Sequence, residues 1–136
     1  MNGRTAVLGL GVLALTVATS ARDVDVSKLP PASPQKGVTY AKDIKPIFDN
    51  SCVKCHGAEK PKAKLRLDSL AGALKGSEDN KVIEPGNSAK SILVQNVARI
   101  GADDTWMPPP DNKAKIPPLT VEQVGLIRAW IDQGAK

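Results

Sequence analysis

A chain of 136 residues is long enough for one small domain, yet it holds only four aromatic side chains, Tyr40, Phe48, Trp106 and Trp130. An interior of that size has to be completed by aliphatics or by something that is not protein. The net charge is +5, but aromatics do not interleave the cations, which argues against a nucleic-acid binder.

The first residues carry one cation, Arg4, and no acid, and the run from Thr5 to Ala18 is apolar. At about 14 residues that run is shorter than the roughly 20 needed to span a bilayer, and it ends in Ala18-Thr19-Ser20-Ala21, small residues suited to cleavage. Residues 1–21 read as a signal peptide, which predicts a periplasmic or otherwise exported product with no stable membrane insertion after cleavage. The competing reading is an uncleaved N-terminal anchor. No cysteine sits near the processing site to take a lipid, and no strong amphipathic basic helix suggests membrane-surface attachment. Residues 22–37, rich in Pro and Ser, read as an extended tether, so the folded unit is expected over 38–136.

Asp43-Ile44-Lys45-Pro46 suits a helix start, with Asp43 as cap and Pro46 in the first turn; Ile44, Ile47 and Phe48 share a face. A second helix is expected from about Ser69 to Lys75, stopped by Gly76. A third is expected from Ser88 to about Arg99 after the Pro85-Gly86 turn, with Ile92, Leu93 and Asn96 at helical spacing. The last has the clearest punctuation: Thr120 and Gln123 form a capping box, Gly134 closes the other end, and Val124, Ile127, Trp130 and Ile131 face inward. Trp130 is expected to meet the first helix around Phe48 and to shield an edge of whatever fills the interior. These signals predict an all-α fold of three to five short helices, with no internal repeat.

Both cysteines and the only histidine fall within Ser51-Cys52-Val53-Lys54-Cys55-His56-Gly57. A disulfide between Cys52 and Cys55 would close a tiny loop and restrain little of the unfolded chain. A structural zinc site needs four ligands, and nothing outside the motif provides a second pair. A dithiol oxidoreductase would place its motif after a strand in a βαβ pattern, which the sequence lacks. Two buried thiols without further chemistry leave the adjoining histidine unexplained. Cys-x-x-Cys-His is the attachment signature for a c-type haem: both sulfurs form thioethers to vinyl groups, and the next residue aims its imidazole at the iron. One covalently attached haem c is expected, enclosed by the short helices.

With His56 used there is no second histidine, and Met1 leaves with the signal peptide. That makes Met107 the available thioether for the other face of the iron, roughly 50 residues beyond His56, which is ample chain to cross over at about 3.3 Å per residue. Thr105-Trp106-Met107-Pro108-Pro109-Pro110 stiffens the loop around it. Trp106 is read as a packing residue. Ligation by His56 and Met107 leaves no vacant position on the iron, so the expected role is a carrier of single electrons and not an enzyme; the alternative is a haem enzyme or gas sensor with an open or displaceable sixth site.

Taken together these residues resemble a single-haem class I cytochrome c, and most closely the planctomycete-type cytochrome c domain. The segments that carry the resemblance are Ile44-Lys45-Pro46-Ile47 leading into the cysteine motif, Leu65-Arg66-Leu67-Asp68, Glu84-Pro85-Gly86 before Ser91-Ile92-Leu93, Met107-Pro108-Pro109, Leu119-Thr120, and the stretch from Ala129 to Ala135. The resemblance implies that Cys52 and Cys55 bind the haem covalently, His56 is the proximal ligand and Met107 the distal one. Modules of this family are often fused to larger exported proteins, so the resemblance names no partner for this one.

Lys42 to Arg66 holds seven cations against three acids. The excess surrounds the cysteine motif, where it either keeps the surface solvated or steers acidic redox partner proteins toward the site. A monomer is expected.

Overall fold

A computed structural model describes residues 24–136; the expected signal peptide lies outside them. The first helix begins earlier than its local signals suggest. Tyr40–Ile44 winds as a π turn with Thr39 at its cap position and runs directly into α1, Lys45–Ser51, where Pro46 is tolerated in the first turn. Asp43 therefore does not cap the helix as expected. It sits inside the turn and its carboxylate reaches back to accept from the Thr39 N–H at 2.9 Å. The predicted face holds, since Ile44, Ile47 and Phe48 are all buried, while Lys45 and Asp49 pair on the outer surface at 2.7 Å.

At Cys52 the backbone kinks, and one further turn, α2, spans Val53–His56. Helix α3, Leu70–Lys75, starts where the Ser69 hydroxyl accepts from the Gly72 N–H at 3.1 Å and stops at Gly76, whose φ of 86° ends the helix as expected. Helix α4, Ile92–Val97, is shorter than the sequence reading from Ser88. The cause is tertiary. The Asp132 carboxylate takes the Ser88 N–H and hydroxyl at 2.7 and 3.0 Å, and the Ser91 hydroxyl bridges the Asn87 carbonyl and the Glu84 N–H, so 88–91 is held as a turn.

Helix α5, Val121–Asp132, carries the expected capping box: the Thr120 hydroxyl accepts from the Gln123 N–H at 3.2 Å, and the Gln123 side chain accepts from the Thr120 N–H at 2.9 Å. Gly134, with φ at 104°, closes its far end. Val124, Ile127, Trp130 and Ile131 are buried, and α5 packs against the π turn and α4. Five short α-helices and no strand among the described residues make the fold all-α, and none of these helices is long and apolar enough to cross a membrane.

The segment expected to be an extended tether is extended, and part of it packs against α5. Leu29 is buried, the Ser33 N–H donates to the Gly125 carbonyl at 2.9 Å, and Arg128 donates to the Pro30 carbonyl. Gln133 ties down the other end through the Val38 N–H and the Gln35 carbonyl. Among the described residues burial thus starts at Leu29, ahead of Val38, and α5 leaves a glycine under the crossing: a Cβ on Gly125 would meet the Pro31 carbonyl oxygen at 2.8 Å.

Candidate functional site

Cys52, Cys55, His56 and Met107, named separately by the sequence, all line one cavity of about 900 Å³. Its volume is at the upper end of the roughly 300–1,000 Å³ typical of ligand pockets. The cysteines and histidine come from the kinked α1–α2 segment; Met107 comes from the loop after α4. Phe48, Leu65, Leu67, Val82, Leu93 and Val97 supply apolar wall, and Lys54, Lys62, Asp111 and Lys113 complete the lining with charged groups.

Two thiols three residues apart bracket a single helical turn, which brings both to the same wall. They are free, and the Cys52 thiol is pushed up to about 12, first by burial and then by the neighbouring Cys55. A redox dithiol needs the opposite, a thiol held as thiolate by a lowered pKa, so this environment speaks against disulfide exchange. Among the described residues no group of three His, Cys, Asp or Glu side chains could hold a metal ion.

His56 ends α2, where its carbonyl accepts from the Leu67 N–H at 2.8 Å. Burial holds its imidazole below the ordinary range, against the opposing pull of nearby Leu65 and Lys62 backbone groups; the Lys62 charge lowers it further. Its Nδ1 is buried and makes no well-formed hydrogen bond. A neutral imidazole at an apolar wall is the form that ligates a metal. Met107 is half-buried, and its N–H donates to the Asn96 carbonyl at the end of α4 at 3.1 Å. Apolar walls, paired thiols, a neutral imidazole and a thioether around one cavity suit a large flat apolar group carrying a metal, and the residues present fit a haem.

Of the two tryptophans, neither lines the cavity. Trp106 packs, as expected, with its Nε1–H on the Gly101 carbonyl at 3.0 Å. Trp130 meets Phe48 as expected, but Phe48 is the ring that forms the cavity wall, so Trp130 acts one layer behind it.

Sequence reasoning missed two residues that shape the loop beyond Met107. Asn112 donates to the Pro109 and Ile116 carbonyls at 2.8 and 2.9 Å and accepts from the Ile116 N–H at 2.8 Å, pinning the loop that lines the site. Its position in a Pro-Asp-Asn turn was a usable signal. Arg99 donates to the Pro108 carbonyl at 2.7 Å, a contact with no local signature.

Residues 52–111 match the family model described as Planctomycete cytochrome C. No curated protein and no solved structure matches the chain. The matched segment opens at Cys52 and takes in Met107, the span that encloses most of the cavity. Motif, helical fold and family match agree in supporting a planctomycete-type cytochrome c domain over residues 52–111, a type of module that holds covalently attached haem.

Proposed function

We propose that the protein is an exported carrier of single electrons holding one haem c, with Cys52 and Cys55 as its thioether sites, His56 as proximal and Met107 as distal ligand. The observation that carries this reading is the convergence of those four side chains on one apolar cavity. The bound haem supplies an iron that gains and loses one electron. The chain supplies the rest. Burial keeps His56 neutral and available as a ligand, Met107 offers a thioether that favours the reduced state, and the apolar walls exclude water from the cavity.

Lys54, Lys62 and Lys113 are exposed cations of the cavity lining, and none is ion-paired among the described residues. They suit an acidic docking surface on a redox partner protein, and association rates should then fall as ionic strength rises. Rates indifferent to salt would leave them as ordinary solvated lysines.

The optical spectrum of the haem-loaded protein, with its intact mass, tests the assignment. Low-spin bands with a weak far-red sulfur-to-ferric-iron transition, and a mass greater than the polypeptide by one haem, are expected. A high-spin ferric spectrum would replace the carrier with the alternative, an enzyme or gas sensor with an open sixth position.

A further inference from the structure

Arg99 follows α4 with φ at 55°, a left-handed conformation that residues other than glycine rarely adopt. The turn it makes ends many helices: its N–H donates to the Asn96 carbonyl at 3.3 Å, and the Ile100 N–H donates to the Gln95 carbonyl at 3.3 Å. Glycine is the common occupant of that place because it has no Cβ to crowd. Here a long cationic residue takes the strained position, so its side chain must return something for the backbone cost.

That side chain folds onto the loop bearing Met107. One guanidinium nitrogen donates to the Pro108 carbonyl at 2.7 Å, while Cζ lies 5.5 Å from the centroid of the Trp106 ring, within cation–π range. Arg99 therefore holds the residue before Met107 and the residue after it. Trp106 and Met107 are also tied to the same helix end, the Trp106 indole donating to the Gly101 carbonyl at 3.0 Å and the Met107 N–H to the Asn96 carbonyl at 3.1 Å. A planar guanidinium can stack on an indole and donate in its own plane at once; an ammonium cannot. The Arg99 Nε is buried without a partner, so the group stays in this place at a desolvation cost.

We infer that Arg99 is a positioning residue that keeps the Met107 thioether presented to the cavity and thereby sets how easily another ligand displaces it. The inference rests on the proposal that Met107 is the distal ligand. Without Arg99 the loop keeps its prolines, its bond to Asn96 and the Trp106 bond to Gly101, but Pro108 loses its hydrogen bond and the Trp106 ring its stacked cation.

Arg99→Gly separates this role from simple packing, because it deletes the side chain while relieving the backbone. In the haem-loaded protein it should leave the thermal midpoint within a few degrees of the parent, weaken the far-red band, and raise the affinity of the ferric protein for added imidazole about tenfold, the scale of one lost charge-assisted hydrogen bond. Arg99→Lys should fall between the two, keeping the charge without the stacked fork. An imidazole affinity unchanged in Arg99→Gly overturns the inference, whether or not the thermal midpoint falls. Should Arg99→Gly be too unstable to purify, parity of Arg99→Lys with the parent overturns it equally. Met107→Ala keeps the two claims apart: an unaltered far-red band there removes the ligand assignment itself, whereas an altered band beside an unaltered Arg99→Gly removes only the role of Arg99.

Discussion

The indole of Trp130 meets the ring of Phe48 edge-on, with centroids 6.2 Å apart and planes at 84°. Tyr40 completes the cluster at 6.1 Å from Phe48 and 5.9 Å from Trp130. Three of the four aromatic residues of the chain are thus spent on one joint, where α5 closes over the π turn and α1, and Phe48 transmits that packing to the cavity wall. The Trp130 Nε1–H is satisfied by the Lys136 carbonyl at 3.0 Å, which also accepts from the Tyr40 N–H at 2.8 Å.

Trp130→Ala should cost about 3–5 kcal/mol, the scale for removing a fully buried large aromatic. Trp130→Phe should cost less, since it keeps an edge-on ring and loses the indole hydrogen bond. Chemical denaturation of the haem-loaded protein measures both. A loss under 1 kcal/mol for the alanine variant would mean that the joint is not where the helices are held.

Cys52→Ala and Cys55→Ala should each leave the haem attached through one sulfur, and the double substitution should leave none attached. The intact mass after extraction with acidified organic solvent decides it. Covalent haem surviving the double substitution would show that attachment lies elsewhere.

Tyr40 is the sole tyrosine, so its ionisation can be read directly from phenolate absorbance. Burial above all, then the Asp49 and Asp68 carboxylates, pushes its phenol from 10.0 up to about 12, while its hydroxyl donates to the Leu67 carbonyl at 2.9 Å. Because the folded pKa lies above the unfolded one, the associated stability is complete below pH 10 and is lost as pH rises from 10 toward 12. Titration of the folded protein should show a midpoint near 12, returning to about 10 in denaturant. Tyr40→Phe should flatten this alkaline loss and cost about 1–3 kcal/mol at neutral pH through the unpaired Leu67 carbonyl. A folded-state midpoint near 10 would refute the shift.

Gly125→Ala should loosen the 29–37 segment, since the added methyl would lie 2.8 Å from the Pro31 carbonyl oxygen. The crowding costs about 1–3 kcal/mol, partly offset by about 1 kcal/mol of better helix propensity. Limited proteolysis should therefore cut within 29–37 faster than in the parent while α5 stays protected. Equal cleavage rates would show that the segment is not held by that crossing.

Much of the site was legible because its determinants are short-range. Cys52, Cys55 and His56 are three and one residues apart, Thr120 and Gln123 satisfy each other within one turn, and the apolar spacing of α5 shows its buried face without reference to anything else. Met107 was found by elimination among two methionines and a single histidine, which needs only a count.

What the tertiary structure alone decided has partners far apart along the chain. Asp132 converts 88–91 from helix into turn, Gly125 admits the 29–37 crossing, and Thr39 rather than Asp43 starts the first helix because the chain enters it from a packed π turn. Arg99 shows the reason most plainly. The sequence places a helix end near Arg99, but not the left-handed turn that this cation adopts there, with its guanidinium on the Pro108 carbonyl and the Trp106 ring. Hydrogen bonds between backbone groups and distant side chains compete with local propensity at each of these points, and propensity differences of under about 1 kcal/mol per residue are too small to prevail.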